Sequence, residues 1–206
     1  MTSLNPNCAT SLNPWPMHAA RGVAQPATSG NCKLAMLFNE PENSMINLTA
    51  EVSKLIDRYQ LIPHPEGGWY RELHRSKLNI IRSDAENRSA FTMILFLLPS
   101  GHLSRWHRVA NADESWHYIA GDPLELYSLP PDGGAPIKVL LGFSIYDNKL
   151  LPVSVIPAGF WQAAQSSGAW SLVSCCVGPG FCFEDFSLLA NHPINEHPPG
   201  ATTNFI

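Results

Sequence analysis

The sequence predicts an all-β protein, a jelly roll or β-sandwich with one short helix before the first strand. Two observations lead to this class. From residue 68 onward, short runs of strand-forming residues recur, and Gly, Pro, Asp or Asn turn signals divide each run from the next. About eight such runs occur without the alternating helical segments that a parallel βαβ sheet requires. A sandwich or jelly roll is therefore favoured over an α/β fold.

The single predicted helix begins near Thr49, a residue suited to the N-cap. Pro63 and Pro65 follow it and are expected to prevent its continuation. Apolar side chains recur between them with helical spacing at Val52, Leu55, Ile56 and Tyr59.

The predicted strands cover residues 68–74, 90–98, 115–120, 124–129, 137–143, 153–156, 161–165 and 170–177. Turn signals separate them at residues 99–101, 121–123, 130–134 and 146–148. No repeat of about 20–50 residues is visible, so the predicted strands belong to one domain and not to a repeat array.

The 206 residues fit one folded domain at 45–190, flanked by tails at 1–44 and 191–206. Residues 1–44 are rich in Asn, Pro, Ser, Ala and Thr and contain no acidic residue before Glu40, so disorder is expected there. An acid-poor, Ser/Ala-rich start also fits an organelle-targeting peptide, although Arg21 and Lys33 are its only basic residues.

Composition narrows the classes of function. The net charge of −4 and the lack of a Lys/Arg block argue against nucleic-acid binding. The longest apolar stretch, at 91–98, is far shorter than the ~20 residues of a membrane span. No secretory signal is visible, so a cytoplasmic protein is expected, and five cysteines without CxxC spacing indicate free thiols. These cysteines are Cys8, Cys32, Cys175, Cys176 and Cys182.

Two spaced motifs resemble those of the cupin superfamily. Gly101, five residues, His107, then Glu114, six residues and Gly121 resemble the first cupin motif. The segment 157–162, ending in Gln162, resembles the second motif, Pro-x-Gly followed by two residues and His. The resemblance implies a cupin jelly-roll β-barrel over residues 45–190 with a pocket centred on His107, Glu114 and Gln162.

In metal-binding cupins, two histidines on one strand, a Glu and a later His complete a transition-metal site, because alternate strand residues share a face. Here Val109 and Gln162 stand at two of these four positions, which leaves His107 and Glu114 as strong ligands. His117 lies three residues beyond Glu114, an odd offset that faces the opposite side of a regular strand. A metal-free polar pocket is therefore favoured. A divalent metal held by His107, Glu114 and Gln162, joined by His117 if a β-bulge turns it inward, is the alternative.

A closer resemblance, over about residues 50–190, is to the cupin-5 family of uncharacterised jelly rolls. This resemblance implies a homodimer with a small-molecule pocket and no established reaction, and the family shares Val109 and Gln162 at the lost ligand positions. It is carried by HPEGGWYRE (64–72), WHRV (106–109), DESWH (113–117), GDPL (121–124), PAGFWQAA (157–164), PGF (179–181) and FEDF (183–186).

A more distant similarity is to sugar-nucleotide 3,5-epimerase-type jelly rolls. Their catalytic His falls on His107, and their Pro-x-Gly-Phe segment falls on residues 157–160. Glu114 stands where that family has a catalytic Lys, and no tyrosine acid is identified in the sequence. The epimerase chemistry is therefore not carried over unchanged.

The leading hypothesis is a pocket for a small polar or sugar-like metabolite, isomerised by proton transfer. His107 is the expected base, Glu114 the carboxylate that orients it, and Gln162 a hydrogen-bonding group for the substrate. The remaining candidate substrate-binding residues are Glu72, Arg71, Trp116 and Phe160. A non-catalytic binding or storage-like jelly roll and a weakly metal-dependent enzyme are the alternatives.

Overall fold

The computed structural model describes residues 49–206. The predicted N-terminal tail at 1–44, with its disorder and targeting hypotheses, lies outside the described residues, as do Cys8 and Cys32. The described part consists of two six-stranded sheets, a separate two-stranded hairpin and one short α-helix. This architecture confirms the predicted all-β jelly roll with a short N-terminal helix.

Helix α1 spans Ala50–Tyr59 and packs on the outer face of one sheet. The Thr49 side chain caps its start by accepting a hydrogen bond from the backbone nitrogen of Val52. The helix ends before the prolines, at Gln60, which adopts a left-handed conformation with φ of 52°. Val52 is fully buried against the sheet residues Leu95, Leu97 and Leu172. Within residues 49–206, no helix is long and apolar enough to cross a membrane.

The first sheet has the strand order β1 (Ile62–Pro63), β2 (Trp69–Arg75), β5 (Thr92–Pro99), β13 (Trp170–Gly178), β7 (Asp113–Gly121) and β11 (Val153–Ile156). The second has the order β10 (Leu150–Leu151), β9 (Ile137–Leu141), β8 (Leu124–Leu129), β12 (Trp161–Ser166), β6 (Leu103–Val109) and β14 (Phe186–Leu188). Strands β3 (Asn79–Ile81) and β4 (Asn87–Ser89) form the hairpin. Pairing is antiparallel except between β10 and β9.

All eight predicted runs are strands, and β8 and β11 have the predicted bounds. The prediction missed β6, because Arg105 and Arg108 interrupt its apolar pattern. It also missed β1, β3, β4, β10 and β14, which are only two or three residues long. Such short strands are defined by their pairing partners more than by their own sequence.

The inner faces of the two sheets pack into one core. Phe96, Trp116 and Cys175 belong to this core and also line the large cavity of the barrel. They therefore mark the boundary between the filled part of the barrel and its open part. The other buried members of the core are Leu98, Leu124, Leu126, Leu141, Ile156, Ala164 and Val173.

The predicted C-terminal tail at 191–206 packs against the barrel. Phe205 is buried, with its ring 5.9 Å from that of Trp106. The indole nitrogen of Trp106 donates a 3.1 Å hydrogen bond to the carbonyl of Thr202. This segment is therefore an integral part of the fold. Short 3-10 turns at Phe183–Asp185 and Leu189–Asn191 lead into this segment. Further 3-10 turns, at Ile194–Glu196 and Thr203–Phe205, lie within it.

None of the three described cysteines forms a disulfide, as the sequence predicts. Cys175 and Cys182 are buried and Cys176 is half-buried. Burial raises the pKa of Cys175 well above its ordinary value, and the nearby Glu114 adds to the rise. A thiol in that state is a packing residue and not a nucleophile at neutral pH.

Candidate functional site

A cavity of about 1080 Å³ occupies the open part of the barrel. Ionisable residues line it beside apolar and aromatic side chains, among them His64, Glu66, His107 and Glu114. A volume of this size accommodates a metabolite. Its aromatic lining includes Tyr70, Phe96, Trp116, Phe181, Phe183 and Phe186, and its charged rim includes Arg71, Glu72, Arg75 and Glu184.

Alternation along β7 decides which of its polar side chains reach the cavity. Glu114 and Trp116 line the cavity, whereas His117 lies on the other face and contacts the hydroxyl of Ser115 at 2.9 Å. The register shift between β7 and β13 lies beyond Tyr118, so it does not turn His117 inward. His117 is therefore separated from Glu114 by the sheet itself.

On the β6 wall of the cavity, a β-bulge sets which side chains point inward. Gln162 pairs with His107 and Ala164 pairs with Ser104, so β6 holds one more residue than β12 between these two pairs. The extra residue places Ser104 and His107 on the same side, although they are three positions apart. Both side chains contact Glu66.

Glu66 lies in the tight turn between β1 and β2. Gly67 has φ of 112°, and a Cβ there would collide with the backbone oxygen of Leu103. Only glycine allows the turn to approach β6 this closely. The backbone nitrogen of Arg105 then donates a 2.9 Å hydrogen bond to the carbonyl of Glu66. The turn thus inserts the Glu66 carboxylate into the barrel, where the residue is 5% exposed.

Three side chains surround the Glu66 carboxylate. Oε1 accepts a 2.8 Å hydrogen bond from Ser104, and Oε2 lies 3.1 Å from Nε2 of His107 and 3.2 Å from Nδ1 of His64. Burial alone raises the pKa of Glu66, but the two rings and the hydrogen bonds of His64 and Ser104 outweigh it and lower the pKa to about 2. Glu66 is therefore ionised at neutral pH.

The contacts of His107 assign its protons. Nδ1 lies 2.8 Å from the carbonyl of Arg105, and a carbonyl oxygen only accepts, so Nδ1 carries a hydrogen. Burial lowers the pKa of His107 below its ordinary value, against the opposing effects of the Glu66 charge and the Arg105 carbonyl. Because an ionised Glu66 also only accepts, the 3.1 Å contact requires a second hydrogen on Nε2. From the geometry of these two contacts we assign an imidazolium–carboxylate pair of His107 with Glu66, and the orienting role predicted for Glu114 stays a prediction.

Glu114 forms a different network. Its Oε2 accepts a 2.5 Å hydrogen bond from Nε2 of Gln162, and Oε1 of Gln162 accepts a 2.9 Å bond from the indole of Trp116. Burial raises the pKa of Glu114 to about 7, and the negative charge of Glu66 adds to the rise, against the opposing effects of Gln162, His64 and Cys175. At neutral pH this carboxyl group therefore exchanges a proton readily.

Gln162 is 1% exposed, and both ends of its amide group are bonded within the protein. Gln162 therefore holds Glu114 in place, and its predicted contact with a substrate stays a prediction.

The residues at the cupin metal position do not fit a metal ion. Val109 lines the cavity without a donor atom, the Gln162 oxygen is bonded to Trp116, and His107 directs Nε2 to Glu66. Among residues 49–206, no group of three or more His, Cys, Asp or Glu side chains is arranged to hold a metal. The acid and base groups of this site are therefore its own carboxyl groups and imidazoles.

The rim of the cavity contains Arg71 and Glu72, the two residues of β2 that were predicted to bind substrate. Glu72 faces the cavity and forms a bidentate ion pair with Arg75, at 2.7 and 3.1 Å. Arg71 donates to the carbonyl of Tyr59 and, at 2.6 Å, to the side chain of Gln60. Arg71 thus ties the end of α1 to the rim.

Two aromatic residues differ from expectation. Tyr70, which the sequence hypothesis left out, lines the cavity, and burial together with Glu72 raises its pKa. Phe160, expected to bind substrate, packs against the core cluster and is not among the described residues that line the cavity. The turn at 157–160 is thus a structural element of the barrel.

Glu66 and His64 were missed as site residues, although both lie in the His-Pro-Glu-Gly-Gly segment. The signal that could have identified Glu66 is its position directly before two glycines and a strand. A turn of this kind can bring a carboxylate close to a neighbouring backbone.

The sequence profile of a family described as "Cupin_5: Cupin superfamily (DUF985)" matches residues 53–189. The chain belongs to this family. A relative in Saccharomyces cerevisiae, uncharacterised protein YML079W, is 26% identical over 167 residues, which cover 73% of this chain and 81% of the yeast protein.

Two solved structures are similar to this Cupin_5 chain. A hypothetical protein from Leishmania major is 34% identical with a TM-score of 0.60, covering 66% of this chain and 85% of that one. Protein SO0799 from Shewanella oneidensis is also 34% identical with a TM-score of 0.60, covering 66% and 83%. These likenesses support the cupin jelly-roll fold of this chain.

Proposed function

We propose that the cavity binds a small polar or sugar-like metabolite and isomerises it by proton transfer. The observation that supports this most strongly is the pairing of two carboxyl groups of opposite character in one enclosed cavity. Glu66 is bonded to two imidazoles and a hydroxyl, whereas Glu114 is bonded to a neutral amide. Two such groups with divergent proton affinities are the usual basis of acid–base catalysis.

The proposed reaction removes a proton from a carbon next to a carbonyl group. The C–H electron pair moves into the carbonyl to form an enol or enolate, and an imidazole held by Glu66 accepts the proton. Glu114 in its protonated form donates a proton to the carbonyl oxygen, or to carbon from the other face. Reversal of the transfer at a different face or atom gives the isomer, with no net redox change.

We expect Glu114→Gln to abolish this chemistry while preserving binding. The amide keeps the size of the carboxyl group and still offers an oxygen to Gln162, but it neither donates nor accepts the reacting proton. Removal of a general acid lowers rates by about 10²–10⁴-fold. The measurement is deuterium incorporation from solvent into ligands first found by a thermal-shift screen of sugars, sugar phosphates and hydroxycarbonyl compounds.

Glu196→Gln serves as the matched control, because Glu196 is a carboxylate outside the cavity with a 58% exposed side chain. Exchange by wild type and the control, with at least a 100-fold loss in Glu114→Gln, supports the proposal. A ligand that stabilises wild type but shows no exchange between pH 6 and 8 contradicts isomerisation. That result identifies the protein as a non-catalytic binding jelly roll.

We also propose that the protein is a homodimer, as its family resemblance implies. Apolar side chains are exposed together near the free edge of the first sheet, at Ile119, Val153 and Val155, with 53%, 43% and 57% exposure. An apolar strip of this kind is typical of a contact surface.

We expect Val155→Glu to convert the dimer to a monomer, because it buries an unpaired charge at the interface. Sedimentation equilibrium is the measurement. Ile194→Glu is the control, since Ile194 is 77% exposed on a different surface. Wild type that sediments as a monomer, or a Val155→Glu variant that remains dimeric, excludes this interface.

A further inference from the structure

The two imidazoles bonded to Glu66 differ in their access to the cavity. Both ring nitrogens of His107 have partners within the protein, Arg105 and Glu66. His64 uses only Nδ1, which lies 3.2 Å from the Glu66 carboxylate. Among residues 49–206, Nε2 of His64 has no hydrogen-bond partner, and it is not one of the buried polar atoms closed off without one. His64 therefore has a ring nitrogen left for a ligand.

Aromatic neighbours fix the orientation of the His64 ring. The ring packs edge-to-face on Tyr70, with centroids 4.6 Å apart, and on Phe186 at 5.8 Å. Phe183 stacks on it with centroids 6.4 Å apart and ring planes 25° apart, and all three aromatic residues line the cavity. A ring held on several sides keeps Nδ1 directed to Glu66, which directs the opposite edge away from the turn and into the cavity.

The hydrogen-bond partners of His64 also set its tautomer. An ionised carboxylate only accepts, so the Nδ1 contact with Glu66 requires a hydrogen on Nδ1. The longer 3.4 Å approach of the Glu66 backbone nitrogen to the same atom is weaker and does not reverse this assignment. The lone pair of a neutral His64 ring therefore lies on Nε2. This is the arrangement in which a carboxylate prepares a histidine to act as a base.

We propose that His64 is the catalytic base of the reaction, with Nε2 as the proton-accepting atom, and that Glu66 and His107 are its positioning residues. This inference rests on the proposed function, and it changes the role of His107. An imidazolium with both nitrogens bonded inside the protein has no lone pair to offer a substrate. Its positive charge instead holds Glu66 in place, and Glu66 orients His64.

The proton transfer is balanced within the cavity. Nε2 of His64 takes the proton from the substrate carbon, and the freed electron pair moves to the adjacent carbonyl group. Glu114 donates its proton to the developing oxyanion, which gives an enediol. In the second half-reaction the protonated His64 delivers its proton to the adjacent carbon, and Glu114 recovers a proton from the other enediol hydroxyl group. The substrate class is therefore a carbon acid, such as a hydroxyaldehyde, a hydroxyketone or a keto sugar.

The experiment compares His64→Ala, His64→Gln and His107→Asn with wild type in the deuterium-exchange measurement. We expect both His64 variants to lose at least 100-fold in exchange rate, with ligand affinity changed less than tenfold. Added imidazole should restore part of the activity of His64→Ala, because that substitution opens a space in contact with the cavity. The same imidazole should not rescue His107→Asn. His74→Ala is the control, since His74 is an exposed imidazole outside the cavity.

A second measurement keeps the result clear if a variant folds poorly. Nitrogen-15 NMR of the histidine rings at pH 8 should show His64 protonated on Nδ1, with an Nε2 resonance that moves on ligand addition, and a His107 signal that does not move. A ligand that shifts His107 and leaves His64 unchanged overturns the inference, as does His64→Ala with exchange within threefold of wild type. Wild type without exchange on any bound carbon acid refutes the proposed function instead.

Discussion

Glu66→Ala is expected to lower the free energy of unfolding by about 3–5 kcal/mol at pH 7, the cost of breaking a buried ion pair. The substitution removes the acceptor for the His107 and His64 rings and for the Ser104 hydroxyl. It leaves these donors buried and His107 without its counter-charge. Urea unfolding at 25 °C measures the loss.

Two further variants test whether the buried ion pair accounts for this loss of stability. Glu66→Gln should lose less than Glu66→Ala, since an amide oxygen still accepts one hydrogen bond and His107 can become neutral. Glu196→Ala removes an exposed carboxylate 3.7 Å from His192 and should change stability by less than about 0.5 kcal/mol. If Glu66→Ala loses no more than Glu196→Ala, the buried pair does not stabilise the fold.

Glu114 should make the protein less stable as pH rises. Its pKa is about 7 in the folded protein, against an ordinary value of 4.5. Between these values the folded state binds a proton that the unfolded chain has released. The free energy of unfolding therefore falls with rising pH in this window, by about 3 kcal/mol in total. Below about pH 4.5 and well above pH 7, this contribution no longer changes with pH.

The difference in stability between wild type and Glu114→Gln isolates this contribution, because other titrating groups are common to both proteins. Unfolding in urea from pH 4.5 to 8 should show wild type losing about 3 kcal/mol relative to the variant. Glu66, whose pKa is lowered, contributes with the opposite sign, mainly below pH 4.5, and cancels in the difference. A flat difference would mean that Glu114 is ionised throughout.

The barrel could be predicted from the sequence because its long strands carry their own patterns. Strand β8 at Leu124–Leu129 and strand β11 at Val153–Ile156 are bounded by turn residues on both sides, and their predicted limits are those observed. The inward direction of Glu114 and the outward direction of His117 also follow from simple alternation on β7.

The partners within the site could not be predicted in the same way. Motif spacing brought His107 and Glu114 to one cavity, but it carries no information on the turn that inserts Glu66 between strands. The bulge that turns Ser104 toward Glu66 depends on the register between β6 and β12, which is a property of the paired strands. Non-local contacts therefore decided which carboxylate meets which imidazole.

The collision that any side chain at Gly67 would make with Leu103 has a consequence for tracing this chemistry in other genomes. A relative with a larger residue in place of Gly67 could not bring this turn so close to strand β6. The carboxylate of Glu66 would then no longer reach its buried position. The His-Pro-Glu-Gly-Gly segment is therefore a better search key for proteins that share this buried carboxylate than the degenerate cupin metal motif. Barrels that keep that motif and lack this turn should be grouped apart.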